Sequence, residues 1–210
     1  MKYGIDISEF QGPNFHIPKN IDFIIIRAGY GDYEDKYFKD NYANAKALGL
    51  PIGIYWCVDP DLAADVQSSR CLETIINFPP TMGLWVDLEA EDVQDHPSRM
   101  SKIGYDIADR LENMGYYTGI YYSLGCGEYL KDLTGRFDSW IACWDDDPED
   151  EPIIGTIKQY GIKNNLDRDA CYADFEIYKM KMPSGATPAD LSGALRSIIK
   201  QLEDIINEFC

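Results

Sequence analysis

The sequence predicts an α/β barrel, and three observations carry that prediction. Strand-length apolar runs recur along the 210 residues, alternating with helical segments at first and following one another closely at the end. The second run, Phe23-Ile24-Ile25-Ile26-Arg27-Ala28, shows no apolar–polar alternation, as in parallel strands covered on both faces. Asp6, Asp87 and Glu89 fall near the C-terminal ends of their strands, where a barrel gathers its chemistry. An open doubly wound sheet is the rival arrangement, but no glycine-rich phosphate turn follows the first strand.

Each element follows from local pattern. Tyr3 to Ser8 forms the first strand, with Gly4, Asp6 and Ser8 on one face. After the Phe23 run, residues 38–48 read as a helix stopped by Gly49, and Pro51 to Val58 as the third strand. Asp61 is placed to N-cap a helix to about Phe78, its apolar side being Leu62, Val66, Leu72, Ile75 and Ile76. Gly83 to Ala90 holds the fourth strand. Pro97 opens a helix whose Met100, Ile103, Ile107, Leu111 and Met114 keep three-to-four spacing up to Gly115. Strands at 117–123, 139–144 and 155–160 follow, with a last one from about Leu166.

The fourth strand carries the chemistry. Alternation puts Asp87 and Glu89 on one face, about 7 Å apart along the strand, with Val86 and Leu88 on the other. An edge strand with an acidic wet face is the plain alternative. The flanks argue otherwise, because they are apolar. Crowding two carboxylates raises the pKa of one and leaves the other ionised, the equipment for cleaving a glycosidic bond. His16 and His96 sit in loop-like settings without zinc spacing, and no cysteine pair has metal-ligand spacing. No metal and no cofactor is therefore expected. A net charge of −17 makes nucleic acid and anionic membranes poor partners, and no apolar stretch is long enough to span a bilayer. The chain opens without a signal peptide, so synthesis in a reducing cytoplasm is expected, with the cysteines as free thiols.

In order along the chain, Gly4-Ile5-Asp6-Ile7-Ser8, Phe23 to Ala28, Gly53-Ile54-Tyr55, Trp85-Val86-Asp87-Leu88-Glu89, Gly119-Ile120-Tyr121, Ser139-Trp140-Ile141-Ala142, Gln159-Tyr160 and Leu166-Asp167-Arg168-Asp169 resemble the motifs of glycoside hydrolase family 25, the Chalaropsis-type lysozymes. The likeness covers residues 1–178. It implies an irregular TIM-like barrel of five β/α units followed by three strands. It also implies a muramidase that cleaves the β-1,4 bond between N-acetylmuramic acid and N-acetylglucosamine in peptidoglycan, acting on the bacterial cell wall. A phage or prophage lysin would fit that role. By position Glu89 is then the acid/base, with Asp87, Asp6 and Asp167 as its acidic companions. Lys158 stands where the family has Trp, and Asp169 where it has Asn.

Asp87 could act as nucleophile or could orient the substrate's own N-acetyl group. The second route is favoured, with retention. A metal-dependent carboxylate hydrolase and a catalytically silent wall-binding barrel are the rival readings. Tyr55, Tyr121 and Trp144 are candidates to stack on sugars, and Gln159 to hydrogen-bond a hydroxyl or acetamide. The run Asp145 to Glu151 reads as a solvated acidic loop on the rim. The catalytic barrel is assigned to residues 1–180, a linker to 181–188 and an amphipathic helix to 189–210. In that helix Leu191, Leu195, Ile198, Leu202, Ile205 and Phe209 form a stripe suited to self-association or to docking on the barrel.

Overall fold

Eight strands close into a barrel in the computed structural model, which describes residues 1–12, 14–150 and 155–179. They are β1 (Lys2–Ile7), β2 (Phe23–Tyr30), β4 (Ile52–Cys57), β5 (Leu84–Leu88), β6 (Thr118–Ser123), β7 (Asp138–Ala142), β8 (Ile157–Lys163) and β9 (Leu166–Cys171), while the two-residue β3 (Tyr33–Glu34) folds back on β2. Pairing is parallel from β1 through β8. Strand β9 then closes the ring antiparallel to both β8 and β1. The turn into β9 is Asn164-Asn165, both left-handed at φ 55° and 60°, which matches the twist of a two-residue hairpin.

Helices α1 (Phe38–Ala47), α2 (Ala64–Ile75), α3 (Ala90–Asp95), α4 (Pro97–Asn113) and the single turn α5 (Lys131–Thr134) cover the middle of the barrel. The first unit differs from the expected β/α repeat, since β1 is followed only by the 3-10 turn Glu9–Gln11. Ser8 caps that turn, and the Gln11 side chain bonds back to the Ser8 amide at 2.7 Å. After β7 the described residues hold no α-helix, only the 3-10 turn Phe175–Tyr178.

Two expectations for α2 do not hold. Asp61 does not cap it; the N-cap is Ala63 without a side-chain bond, and Asp61 pairs with Arg99 at 3.1 Å. The turn is held instead by the buried Gln67 amide, which bonds both main-chain groups of Asp59 and the carbonyl of Leu62. The buried face is Gln67, Ser68, Cys71, Thr74 and Ile75, whereas Val66 and Ile76 are exposed. A helix can bury polar side chains when each finds a main-chain partner, as Ser68 does on Ala64 at 2.7 Å. In α4 the buried face is Met100, Gly104, Ile107, Ala108 and Leu111, close to the spacing read from sequence.

The core has two compartments. Between strands and helices lie Ile24, Ile26, Ile54, Val86, Leu88 and Leu111 among others. Inside the barrel Phe23, Ile25, Met82, Trp85, Trp140, Ile157, Cys171 and Tyr178 fill the end where the parallel strands begin. The inner aromatics demand glycine opposite them: a Cβ on Gly119 would lie 2.3 Å from the Trp85 ring. Strand β5 sits between β4 and β6 with all its residues buried, so the acidic pair does not belong to an edge strand. The linker and C-terminal helix expected beyond residue 180 lie outside the described residues. Gly119→Ala is predicted to lower the unfolding free energy by about 1–3 kcal/mol through overpacking against Trp85, read by denaturant titration.

Candidate active site

The catalytic and sugar-binding side chains expected from sequence all line one cleft of about 530 Å³ at the C-terminal end of the parallel strands. Asp6 comes from β1, Tyr55 from β4, Asp87 from β5, Tyr121 from β6, Gln159 from β8 and Asp167 from the start of the reversed β9. Glu89 follows β5 at the N-cap of α3, with φ −63° and ψ 141° keeping the extended alternation for one more pair. Asp87 is buried in the floor, and Glu89 opens to solvent. A carboxyl oxygen of each lies within 4.8 Å of the other. Asp6 and Asp167 face each other directly across the β1–β9 ladder.

Burial dominates the electrostatics. It pushes Asp6 up to about 7, with Asp167 adding to the rise and hydrogen bonds from Gln159 and Asp169 opposing it. Burial, and then the charge of Glu89, holds the Asp87 carboxyl well above the ordinary range. Glu89 is raised by partial desolvation and then by Asp92, against a bond from the Ala90 amide. The cation in the cleft is Arg27, whose Nε lies 2.9 Å from Asp35 and Nη2 3.0 Å from Glu9. Two carboxylates already match its charge, so the acids of the cleft share a largely uncompensated field.

Gln159 lines the cleft and is held by three side-chain partners. Its Oε1 accepts from Tyr121 Oη at 3.0 Å and from Trp144 Nε1 at 2.8 Å, while its Nε2 donates to Asp6 at 2.8 Å. It ties the aromatic wall to the acidic floor. Tyr55 and Tyr121 pack on Trp140, with ring centroids 5.9 and 4.5 Å away. Trp144 remains 63% exposed and is the ring free to receive a ligand face.

Arg27, Phe10, Cys57 and Trp140 also line the cleft and were not picked out as its parts from sequence. A lone charge within an apolar strand run was the available signal for Arg27. Phe10, 80% exposed, stacks on that guanidinium at 4.8 Å and lines the cleft. The acidic run after β7 is not merely solvated: buried Lys158 reaches Asp145 at 2.7 Å and the carbonyls of Asp147 and Asp150, and Arg168 pairs with Asp146. Cys57, Asp87 and Glu89 form the one grouping among the described residues close enough to hold a metal ion. A thiol and two carboxylates fit poorly with Mg²⁺ or Ca²⁺, which take sets of oxygen ligands.

The profile of Glycosyl hydrolases family 25 matches residues 5–165, well over half of the chain. The chain belongs to this family. It is therefore a glycoside hydrolase, with the lysozymes among its structural neighbours. The family 25 glycosyl hydrolase from Bacillus anthracis superposes with a TM-score of 0.71 at 23% identity, covering 86% of this chain and 94% of that one. A family 25 lysozyme from Aspergillus fumigatus gives 0.70 at 18% identity, over 85% and 99%. The modular autolysin LytC from Streptococcus pneumoniae, in complex with a synthetic peptidoglycan ligand, gives 0.65 at 24% identity, over 80% of this chain and 46% of that one. At these identities the superpositions establish the fold. No curated protein matches this chain significantly by sequence.

The raised Asp6 has a consequence for stability. The folded state holds its proton up to about pH 7, whereas the unfolded chain releases it near 3.8. Its stabilisation is complete below that lower value and is lost as pH rises to about 7. Chemical denaturation across this window is expected to show a decline on the order of 4 kcal/mol from this group. Asp6→Asn should flatten the decline.

Proposed function

We propose that the chain is an N-acetylmuramidase, hydrolysing the β-1,4 bond between N-acetylmuramic acid and N-acetylglucosamine in bacterial peptidoglycan. The observation that carries this reading is the Asp87–Glu89 pair, one acid buried and one open, at the mouth of a family 25 barrel. Glu89 is the proton donor: it faces the cleft, and burial and Asp92 raise its pKa above the ordinary glutamate value. Asp87 orients the substrate acetamide by accepting from its N–H as the acetamide oxygen attacks the anomeric carbon. The glycosidic bond breaks as Glu89 gives its proton to the leaving oxygen. Glu89 then takes a proton from the water that opens the cyclic intermediate, with net retention. The close approach of the two carboxyls leaves little room for an inverting water between them, which favours retention over inversion.

Trp144 and Phe10, both exposed on the cleft, supply apolar faces for sugar rings. The solved complex of the pneumococcal autolysin with a peptidoglycan ligand supports the same substrate class here.

Mass spectrometry of digested peptidoglycan tests the reading. Fragments with N-acetylmuramic acid at the new reducing end are expected; N-acetylglucosamine ends, freed stem peptides or no product would each reject it. Glu89→Gln is expected to keep the fold by circular dichroism and to lose about 10³-fold or more in turnover.

Asp92→Asn is expected to move the alkaline limb of kcat to lower pH, because Asp92 helps hold the Glu89 proton. At −17 the protein is repelled by anionic walls, so lysis of whole cells should rise from low to moderate salt in a turbidity assay.

A further inference from the structure

Asp169 is fully buried on β9, two residues beyond Asp167 and on the same inward face. Its Oδ1 accepts from Trp140 Nε1 at 2.8 Å. Its Oδ2 is buried and has no partner if the group is ionised. Across the β1 ladder the residue opposite is Gly4, which has no side chain, and the next inward position is Asp6. The Asp6 and Asp169 carboxyls are within hydrogen-bonding reach of each other. Across the β8 ladder the residue opposite is Gln159, whose amide nitrogen is already spent on Asp6.

An ionised Asp169 would leave a charge in the barrel interior with one neutral donor and a second carboxylate beside it. That arrangement is costly. A proton on the group lets it accept from Trp140 and donate to Asp6 at the same time.

We propose that Asp169 is a positioning residue that works as a neutral carboxylic acid, its hydroxyl fixing the orientation of the Asp6 carboxyl at the floor of the cleft. Asp6 then receives two donors, Gln159 from β8 and Asp169 from β9, and is held rigidly beside Asp167 and the Asp87–Glu89 pair. The role rests on the muramidase reading only for its effect on turnover; the protonation stands apart from it.

The groups around Asp169 agree on keeping the proton. Burial comes first, followed by Asp6, and both raise it well above its ordinary 3.8; Asp167 adds to this, while the Trp140 bond opposes it. Tyr121 from β6 and Tyr160 from β8 also act on it, both with phenols held neutral by burial. The nearest cations are turned elsewhere. Arg168 pairs with Asp146 and lies 4.6 Å over the Tyr160 ring, and Lys158 is bound to Asp145.

The test compares the wild type, Asp169→Asn and Asp169→Leu. An amide can reproduce both bonds without titrating, and leucine can make neither. Infrared difference spectra at about pH 8, well above an ordinary carboxyl pKa, should show the carbonyl band of a protonated acid in the wild type that Asp169→Asn lacks. Unfolded chains release this proton near 3.8, so wild-type stability falls as pH rises, and the melting temperature of Asp169→Asn should gain on it steadily. On peptidoglycan, Asp169→Leu is expected to lose about 100-fold in kcat/KM through misplacement of Asp6. Asp169→Asn should recover most of that loss and keep its activity further into alkaline pH than the wild type. Absence of the band, or an Asp169→Asn protein less stable than wild type at about pH 8, would overturn the proposal. Both readouts need no substrate, so they decide it even if Asp169→Leu does not fold. Should the wild type prove inactive on peptidoglycan with the band present, the muramidase reading falls and the protonated acid stands.

Discussion

Strand β9 runs against both of its neighbours, and the site depends on that reversal. A parallel closing strand would bring its C-terminal end to the cleft. The antiparallel one brings its start, so Asp167 arrives beside Asp6 at the open end while Cys171 and the following Tyr178 reach the packed end. The hairpin of Asn164 and Asn165 sets the register, and register sets the face. A slip of one residue would turn Asp167 and Asp169 out of the barrel and put Arg168 in.

Once inside, the acids meet an interior that offers few compensating charges. Arg27 is claimed by Glu9 and Asp35, and Lys158 by the loop after β7. The carboxyls are therefore stabilised chiefly by keeping protons and by neutral donors from Gln159, Trp140 and Cys57. This is a source of instability for the fold and of reactivity for the site. Desolvation among like charges raises Glu89 in this way without any special group.

Much of the barrel was legible in the sequence because strands buried on both faces must be apolar throughout. The Phe23 run could be little else. The acidic pair on β5 was legible for the converse reason: charge inside such a run has to be explained. Helix α2 was less readable, since its buried face carries Gln67, Ser68 and Thr74, whose burial rests on main-chain partners distant in the pattern. The side-chain ties of Gln159 could not be read from the pattern, because its three partners come from β1, β6 and the turn after β7. Asp169 stood out in sequence only as a departure from the family's asparagine. Its meaning needed the ladder that sets it opposite a glycine.

The anchoring of the loop after β7 bears on how the rim can change over evolutionary time. Two of the three acceptors that Lys158 reaches are main-chain carbonyls, of Asp147 and Asp150. Every amino acid carries that carbonyl. Substitutions along the loop can thus accumulate while its path stays seated on the same ammonium, with only Asp145 tied by its side chain. The loop that follows Trp144 is in this sense a fixed path with replaceable lettering.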